Sequence, residues 1–253
     1  MTAPLPLLRD KRIAVMGSGS GLGLAVARAA EAAGAEVLGI DAEARFDHLA
    51  ELYRVDPGDP ASVDALAQAL PDDLDGLALF PALPDGPPAR QLAEALAAPK
   101  RLAAMLAPRL PKGAGIVVRG ATVDKARPGA LAAIRAGVSL QPGASETFAA
   151  TWALDTEPTG TARLIGWAIA AWALGRAQAW PSLRVNAVIP AQPDGRLPLA
   201  RAAELGLDAG EGAAIAARAA IFLLSDLAQG LTGASLAADG GHSAQIQTRL
   251  EGL

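Results

Sequence analysis

The sequence predicts an α/β fold built on a single doubly wound parallel sheet with helices on both faces. Short apolar runs alternate with alanine-rich helical segments along the chain, which is typical of parallel strands joined by crossover helices. A glycine-rich turn lies directly between the first apolar run and the first helical segment. No internal repeat or linker divides the chain, so residues 1–253 are predicted to form one domain.

Each element is predicted from its own pattern. The strands are short apolar runs, of which the second ends at Asp41 and the third before Asp56. They cover 12–16, 36–40, 52–55, 76–80, 115–119, 183–189 and 235–238. The helices are alanine-rich or apolar; Gly34 stops the first, and Pro99 is expected to interrupt the third. They cover 23–33, 62–70, 89–110, 161–179 and 213–224.

Composition and charge argue against several classes of function. A net charge of −4, without a long run of lysine or arginine, predicts no binding to nucleic acid or to anionic lipid. The chain has no cysteine and two distant histidines, His48 and His242, so no disulfide, thiolate nucleophile or metal site is expected. No apolar stretch is long enough to span a bilayer, and no signal sequence opens the chain. A cytoplasmic protein is therefore predicted.

The glycine-rich turn is the first candidate site. Gly17, Gly21 and Gly23 are spaced G-x-x-x-G-x-G between a strand and a helix. Missing side chains there let backbone N–H groups and the helix N-terminus approach a pyrophosphate, as in Rossmann-like folds. An ordinary structural turn is the alternative. The predicted cofactor-binding residues of this segment are Gly17, Ser18, Gly19, Ser20, Gly21, Leu22 and Gly23.

Asp41 is the second candidate. It ends the second predicted strand, about 20 residues after the glycines, where a carboxylate accepts hydrogen bonds from the adenosine ribose hydroxyls. A 2′-phosphate would be repelled at that position, so NAD is favoured over NADP. The alternative is a solvated residue at the end of a strand.

Nearly the whole chain resembles the short-chain dehydrogenase/reductase family. The likeness is carried by four segments in the C-terminal part, in the family's order and spacing. They are Arg184-Val185-Asn186-Ala187-Val188-Ile189-Pro190, 220–228, Leu231-Thr232-Gly233-Ala234 and Asp239-Gly240-Gly241. The resemblance implies that Asp56 contacts the adenine and that residues 188–190, with Pro190, lie near the nicotinamide.

The positions that carry the family's chemistry are changed. In the family, a tyrosine and a lysine four residues later perform proton transfer; counting back from Arg184 places this pair at Gly160 and Leu164. The only tyrosine is Tyr53, and the lysines are Lys11, Lys100, Lys112 and Lys125. Gly120-Ala121 stand in place of the family serine, and Phe80-Pro81-Ala82-Leu83 stand in place of its Asn-Asn-Ala-Gly segment. Ala95 stands in place of the helix asparagine, and Pro190-Ala191 in place of the Pro-Gly pair. No catalytic residue is therefore predicted.

Two further features bear on partners. The segment between Thr122 and Gly160 is longer than in the family, and is expected to form an extra loop or short helix over the old active site, or a plain surface excursion. Trp167 and Trp172 lie on a nearly all-apolar helix, where core and interface packing are expected. The family uses the matching helix between subunits, so the resemblance implies a homo-oligomer (dimer or tetramer) or a hetero-oligomer with an active short-chain dehydrogenase.

The favoured function is a catalytically inactive pseudoenzyme, an NAD(H)-binding or purely structural subunit of an oligomer. One alternative is an active NAD(P)(H)-dependent oxidoreductase of a carbonyl or alcohol substrate, using non-standard residues such as Thr122, Asp124 or Lys125. Another is a dinucleotide-responsive binding or regulatory protein. The cofactor prediction is NAD, with its loss left open.

Overall fold

A single parallel sheet organises the chain in this computed structural model, which describes residues 5–43, 51–124, 126–154 and 158–252. Its strands are β1 (Arg12–Met16), β2 (Glu36–Asp41), β3 (Glu51–Arg54), β4 (Gly76–Leu79), β5 (Gly115–Arg119), β6 (Arg184–Ile189) and β7 (Ser235–Ala237). They are ordered β3-β2-β1-β4-β5-β6-β7, and each neighbouring pair is parallel. The predicted fold class is confirmed.

Helices cover both faces of the sheet. They are α1 (Gly21–Ala32), α2 (Pro60–Ala69), α3 (Pro88–Leu92), α4 (Ala98–Leu106), α5 (Leu131–Val138), α6 (Ser145–Thr151), α7 (Pro158–Ala179), α8 (Leu199–Leu205), α9 (Glu211–Leu224) and α10 (His242–Glu251). α1 and α9 pack on one face, and α2, α4 and α7 pack on the other. The strand order reverses between β1 and β4, which opens a crevice at the carboxyl ends of the strands.

The interruption near Pro99 differs from the prediction. A π-helical turn (Ala93–Ala97) joins α3 to α4, so the irregular backbone lies just before the proline. Proline has no N–H to donate to the carbonyl of Ala95, and a π-turn absorbs such a gap in the hydrogen-bond ladder. The helical path then ends at Leu106, with a 3₁₀ turn (Ala107–Arg109) where a continued helix was expected.

The long segment after Thr122 contains two helices, α5 and α6, whereas the sequence predicts a loop or one short helix there. α5 packs along α7, and α6 packs on α3, on the face of the sheet that carries α2 and α4. In the part of the segment that the structure describes, only the residues before α5 border the carboxyl-end crevice. The expectation of a cover over that crevice is therefore wrong for α5 and α6.

A buried lysine holds the end of α5. Lys100 Nζ donates hydrogen bonds to the carbonyl oxygens of Gly137, Val138 and Leu140 at 2.8, 2.9 and 3.1 Å. Burial, with a smaller effect of Arg176, lowers the pKa of Lys100 to about 8. The amine therefore ties the C-terminal end of α5 and the residues just after it to α4, the helix that carries Lys100.

The apolar helix α7 finds its partners inside the chain. Trp167 and Trp172 are 4% and 5% exposed and belong to the core cluster on that face. α5 supplies much of the surface that packs against α7. Within the described ranges, no helix is both long and apolar enough to cross a membrane.

Candidate functional site

Three cavities follow one another along the carboxyl edge of the sheet. The first, of about 280 Å³, lies between the glycine-rich turn and Asp41; the second, of about 370 Å³, lies at the start of α1; the third, of about 140 Å³, lies beyond β5 and β6. The first two share the lining residues Ser20, Pro81 and Ala82, and the last two share Gln192 and Pro193. The three cavities thus adjoin one another along the strand-order reversal, and the row of three is called the groove below.

Two of the predicted glycines serve packing. Gly17 has φ +86°, and a Cβ there would overlap the carbonyl group of Phe80, with 2.7 Å to its carbon. A Cβ on Gly23 would overlap the Gly17 carbonyl, 2.6 Å from its carbon and 2.9 Å from the Phe80 oxygen. Close approach of α1 and the turn to the end of β4 therefore requires both glycines.

Five of the seven residues of the turn, Gly17 among them, face the groove. Gly17, Gly19 and Ser20 line the first cavity, and Ser20, Gly21 and Leu22 line the second. Ser18 is fully buried, and its hydroxyl has no hydrogen-bond partner among the described residues. Of the seven predicted residues, only Ser18 and Gly23 line neither of these two cavities.

The N-terminus of α1 is open to an anion. Ser20 is its exposed N-cap, whose side chain makes no capping hydrogen bond, and the first turn carries no acidic residue. A Cβ on Gly21 would meet only the carbonyl oxygen of Asp194, at 3.8 Å. Free N–H groups at a helix N-terminus favour negative charge, so these residues fit a pyrophosphate.

Asp41 lines the first cavity and is fixed by the turn. Its Oδ2 accepts the N–H of Gly19 at 2.8 Å, and its Oδ1 accepts the N–H of Glu43 at 3.2 Å. A carboxylate offers about four acceptor positions, so it keeps capacity for ribose hydroxyls.

Asp56 lies just outside the first cavity. Its Oδ1 accepts the N–H of Gly58 at 2.9 Å, and it borders a neighbouring surface cavity. Val55 and Pro57 line both cavities. The predicted adenine contact of Asp56 stays a prediction; its two chain neighbours, and not Asp56 itself, line the first cavity.

The third cavity lies where the resemblance places the nicotinamide and the reacting groups. Pro190 and Ala121 line it, whereas the position expected for the family lysine is Leu164, which is 4% exposed and belongs to the core. Asp124 also lines the cavity and forms an ion pair with Arg163 at 3.0 Å. Lys125 lies outside the described residues.

A chain of hydroxyls reaches the third cavity from a buried carboxylate. Thr122 Oγ1 is 3.1 Å from Ser243 Oγ, and Ser243 donates a hydrogen bond to Asp239. Asp239, 2% exposed, also accepts the N–H groups of Gly241 and Ser243 at 2.9 and 2.7 Å. These contacts fix the start of α10 beside the cavity, and they place a threonine there.

Tyr53 is remote from the third cavity. It lies on the edge strand β3, which β2, β1 and β4 separate from β5. Four strand spacings amount to about 19 Å. Its hydroxyl donates to Glu51 at 2.6 Å, and this hydrogen bond raises the pKa of Tyr53 to about 12. The tyrosine therefore does not supply a proton at the third cavity.

Sequence reasoning missed two residues of the third cavity. His242 lines it from the start of α10, and Arg119 lines it from the end of β5. In the sequence, Arg119 is recognisable only as a charged residue at the end of an otherwise apolar strand.

Comparison with known proteins supports the fold. No family model matches the chain, and neither does any curated protein. A solved 3-alpha-hydroxysteroid dehydrogenase from Pseudomonas sp. B-0831, complexed with NADH, is similar over 94% of this chain and 99% of its own, with 22% identity and a TM-score of 0.72. A short chain dehydrogenase/reductase family protein covers the same shares with 23% identity and a TM-score of 0.66.

A third structure extends the likeness. Thermoplasma acidophilum aldohexose dehydrogenase, in ligand-free form, covers 95% of this chain and 97% of its own, with 18% identity and a TM-score of 0.65. At these identities the likeness establishes the fold. The activity has to be argued from the residues of the site.

Proposed function

We propose that this chain is a divergent short-chain dehydrogenase/reductase that binds NAD(H) and does not catalyse the family reaction. The observation that carries the proposal is the groove, which has an open helix N-terminus and Asp41 along its course and, among the described residues, no tyrosine–lysine pair at its far end. The protein then acts as a cofactor-holding subunit.

Different residues of the groove are proposed to bind different parts of the cofactor. Asp41 accepts the adenosine ribose hydroxyls, and its charge disfavours a 2′-phosphate. N–H groups at the start of α1 hold the pyrophosphate, and Pro190 packs near the nicotinamide. When bound, the cofactor offers a hydride; reduction of a carbonyl also requires a positioned acid, which typically contributes about 10²- to 10⁴-fold in rate. At the two positions where the family places that machinery, Gly160 and Leu164 offer no proton.

Turnover measurements test this proposal. Oxidation of NADH and NADPH would be followed with a panel of aldehydes, ketones, sugars and steroids, and reduction of NAD with the matching alcohols. The expected result is no turnover above the background rate. A turnover number of about 1 s⁻¹ or more would contradict inactivity. Loss of that activity in Asp124→Asn would then favour the alternative oxidoreductase, because Asp124 lines the third cavity.

The proposal includes association with a second copy or with an active short-chain dehydrogenase. Because α5 packs against α7, support for a partner comes from β7 instead. This strand pairs with β6 on one side only in the described sheet, and all three of its residues are exposed. Exposed leucines lie on β7 and in the segments before it: Leu227, Leu231 and Leu236, at 67%, 42% and 37%. An open apolar edge of this kind favours pairing with another chain.

Light scattering on the purified chain tests self-association. A dimer or tetramer is expected, and Leu236→Lys should shift it towards monomer because a charge on an edge strand opposes pairing. Leu250→Lys is the matched control, since Leu250 is 49% exposed on α10 and should leave the assembly intact. A monomeric wild-type chain would contradict self-association.

A further inference from the structure

Arg119 is a buried cation with unused hydrogen-bond donors. It ends β5 and is only 4% exposed. Its Nη1 donates to the carbonyl oxygen of Pro193 at 3.1 Å, and its Nε is buried without an acceptor. A guanidinium carries five N–H donors, so most of them lack a partner among the described residues.

No carboxylate of the described residues lies within ion-pair distance of Arg119. Asp194 is near enough to raise the pKa of Arg119, whereas the dominant effect is burial, which lowers this pKa to about 10. Arg119 therefore stays charged at neutral pH. An arginine kept charged in a buried position, without a paired anion, is costly unless a ligand supplies one.

The third cavity gives such a ligand access to Arg119. Among the described residues, its remaining charged lining residues are Asp124 and Arg163, which neutralise each other in their 3.0 Å ion pair. His242 completes the polar wall, and Pro190, Pro193 and Ile246 add apolar surface. The wall therefore carries a net positive charge beside apolar groups, which fits an anionic head group on a short carbon skeleton.

The geometry points to an oxyanion-binding site at Arg119, which takes a small carboxylate or phosphate. The planar guanidinium matches both groups, because its parallel N–H donors engage two oxygens at once. The volume of about 140 Å³ suits a small organic acid of a few carbon atoms or inorganic phosphate. The inference rests on the proposed function only for the idea that this cavity is the reacting end of the groove.

Binding of pyruvate and of inorganic phosphate to the full chain, without NADH, tests the site. Calorimetric titrations would be run at constant ionic strength, with chloride as the balancing anion. Saturable binding of at least one of the two anions is expected, and which one binds assigns the source of the oxyanion. Arg119→Met should weaken it at least tenfold, because a hydrogen bond to a charged group is lost. Arg119→Lys should weaken anion binding less than Arg119→Met does, because lysine keeps the positive charge and loses only the paired N–H donors of the guanidinium.

A second variant keeps the test decisive. Asp194→Asn removes the charge that offsets Arg119 while keeping an oxygen to accept the N–H of Arg196, a 2.9 Å hydrogen bond in the wild type. It should tighten anion binding severalfold. Equal binding by the wild type and a folded Arg119→Met, or no binding of either anion by both the wild type and Asp194→Asn, would overturn the site.

The anion titrations test the oxyanion site independently of whether the chain binds NADH. If the chain failed to bind NADH but bound pyruvate in an Arg119-dependent way, the oxyanion site would stand and the cofactor proposal would fall. If the chain bound NADH and neither anion, the cofactor proposal would stand and the oxyanion site would fall. Thermal unfolding of each variant would show that a lost titration signal reflects the site.

Discussion

Ser20→Asp should weaken NADH binding by at least about tenfold while leaving the fold intact. Ser20 is the exposed N-cap of α1 and lines both the first and the second cavity. An aspartate there adds a negative charge where the pyrophosphate is proposed to bind, and two like charges about 4 Å apart repel by roughly 4 kcal/mol at a protein surface. The measurement is the dissociation constant by calorimetry.

The same substitution should not destabilise the protein. Aspartate is a favoured N-cap, and a negative charge at a helix N-terminus stabilises the helix by about 0.5 to 1 kcal/mol. Ser20→Asn is the matched control, because it caps the helix equally well without the charge. Equal affinity of the two variants for NADH would place the pyrophosphate elsewhere.

Gly23→Ala should cost about 3 kcal/mol of the free energy of unfolding. Its added Cβ would overlap the carbonyl group of Gly17 and lie 2.9 Å from the Phe80 oxygen. Neither backbone group can move without shifting the turn or the end of β4, and such overpacking costs about 1 to 3 kcal/mol or more. Urea denaturation followed by circular dichroism measures the loss.

Gly21→Ala is the matched control for Gly23→Ala. A Cβ on Gly21 would meet only the Asp194 carbonyl oxygen, at the ordinary contact distance of 3.8 Å, so the positive φ of +52° is what opposes the substitution. That conformation costs about 1 to 2 kcal/mol in an L-residue. A larger loss for Gly21→Ala than for Gly23→Ala would contradict the assignment of Gly23 to packing.

The strands were predictable because their residues are buried and apolar. β1 and β5 have the predicted bounds, and β3 begins and ends one residue early because its half-buried residues define no sharp pattern. The glycine-rich turn was likewise evident from spacing. Sequence alone could not separate Gly17 and Gly23, which packing requires, from Gly21, where a Cβ would make only an ordinary contact.

The helices whose positions the sequence did not predict are short or lie at the surface. α5 has eight residues within a segment rich in glycine, proline, alanine and threonine. α10 buries none of its residues, so no apolar stripe marks it. Because α10 carries His242 and Ile246 to the third cavity, part of the candidate site depended on an element without a sequence signature.

Arg119 shows why the reacting end of the groove was the hardest part to predict. Its position in the chain indicates only the end of a strand, whereas its burial and its unused donors depend on how the segment after β6 folds back over it. Long-range contacts of this kind are not encoded in local spacing.

The central claim is that the chain retains a cofactor groove and lacks the proton donor that would use it. Calorimetric titration of the purified wild-type chain with NADH tests this claim most directly. One site per chain with a micromolar dissociation constant, and no oxidation of the bound NADH when carbonyl compounds are added, is the predicted result. No binding at millimolar NADH would contradict it and would leave the glycine-rich turn with a structural role alone.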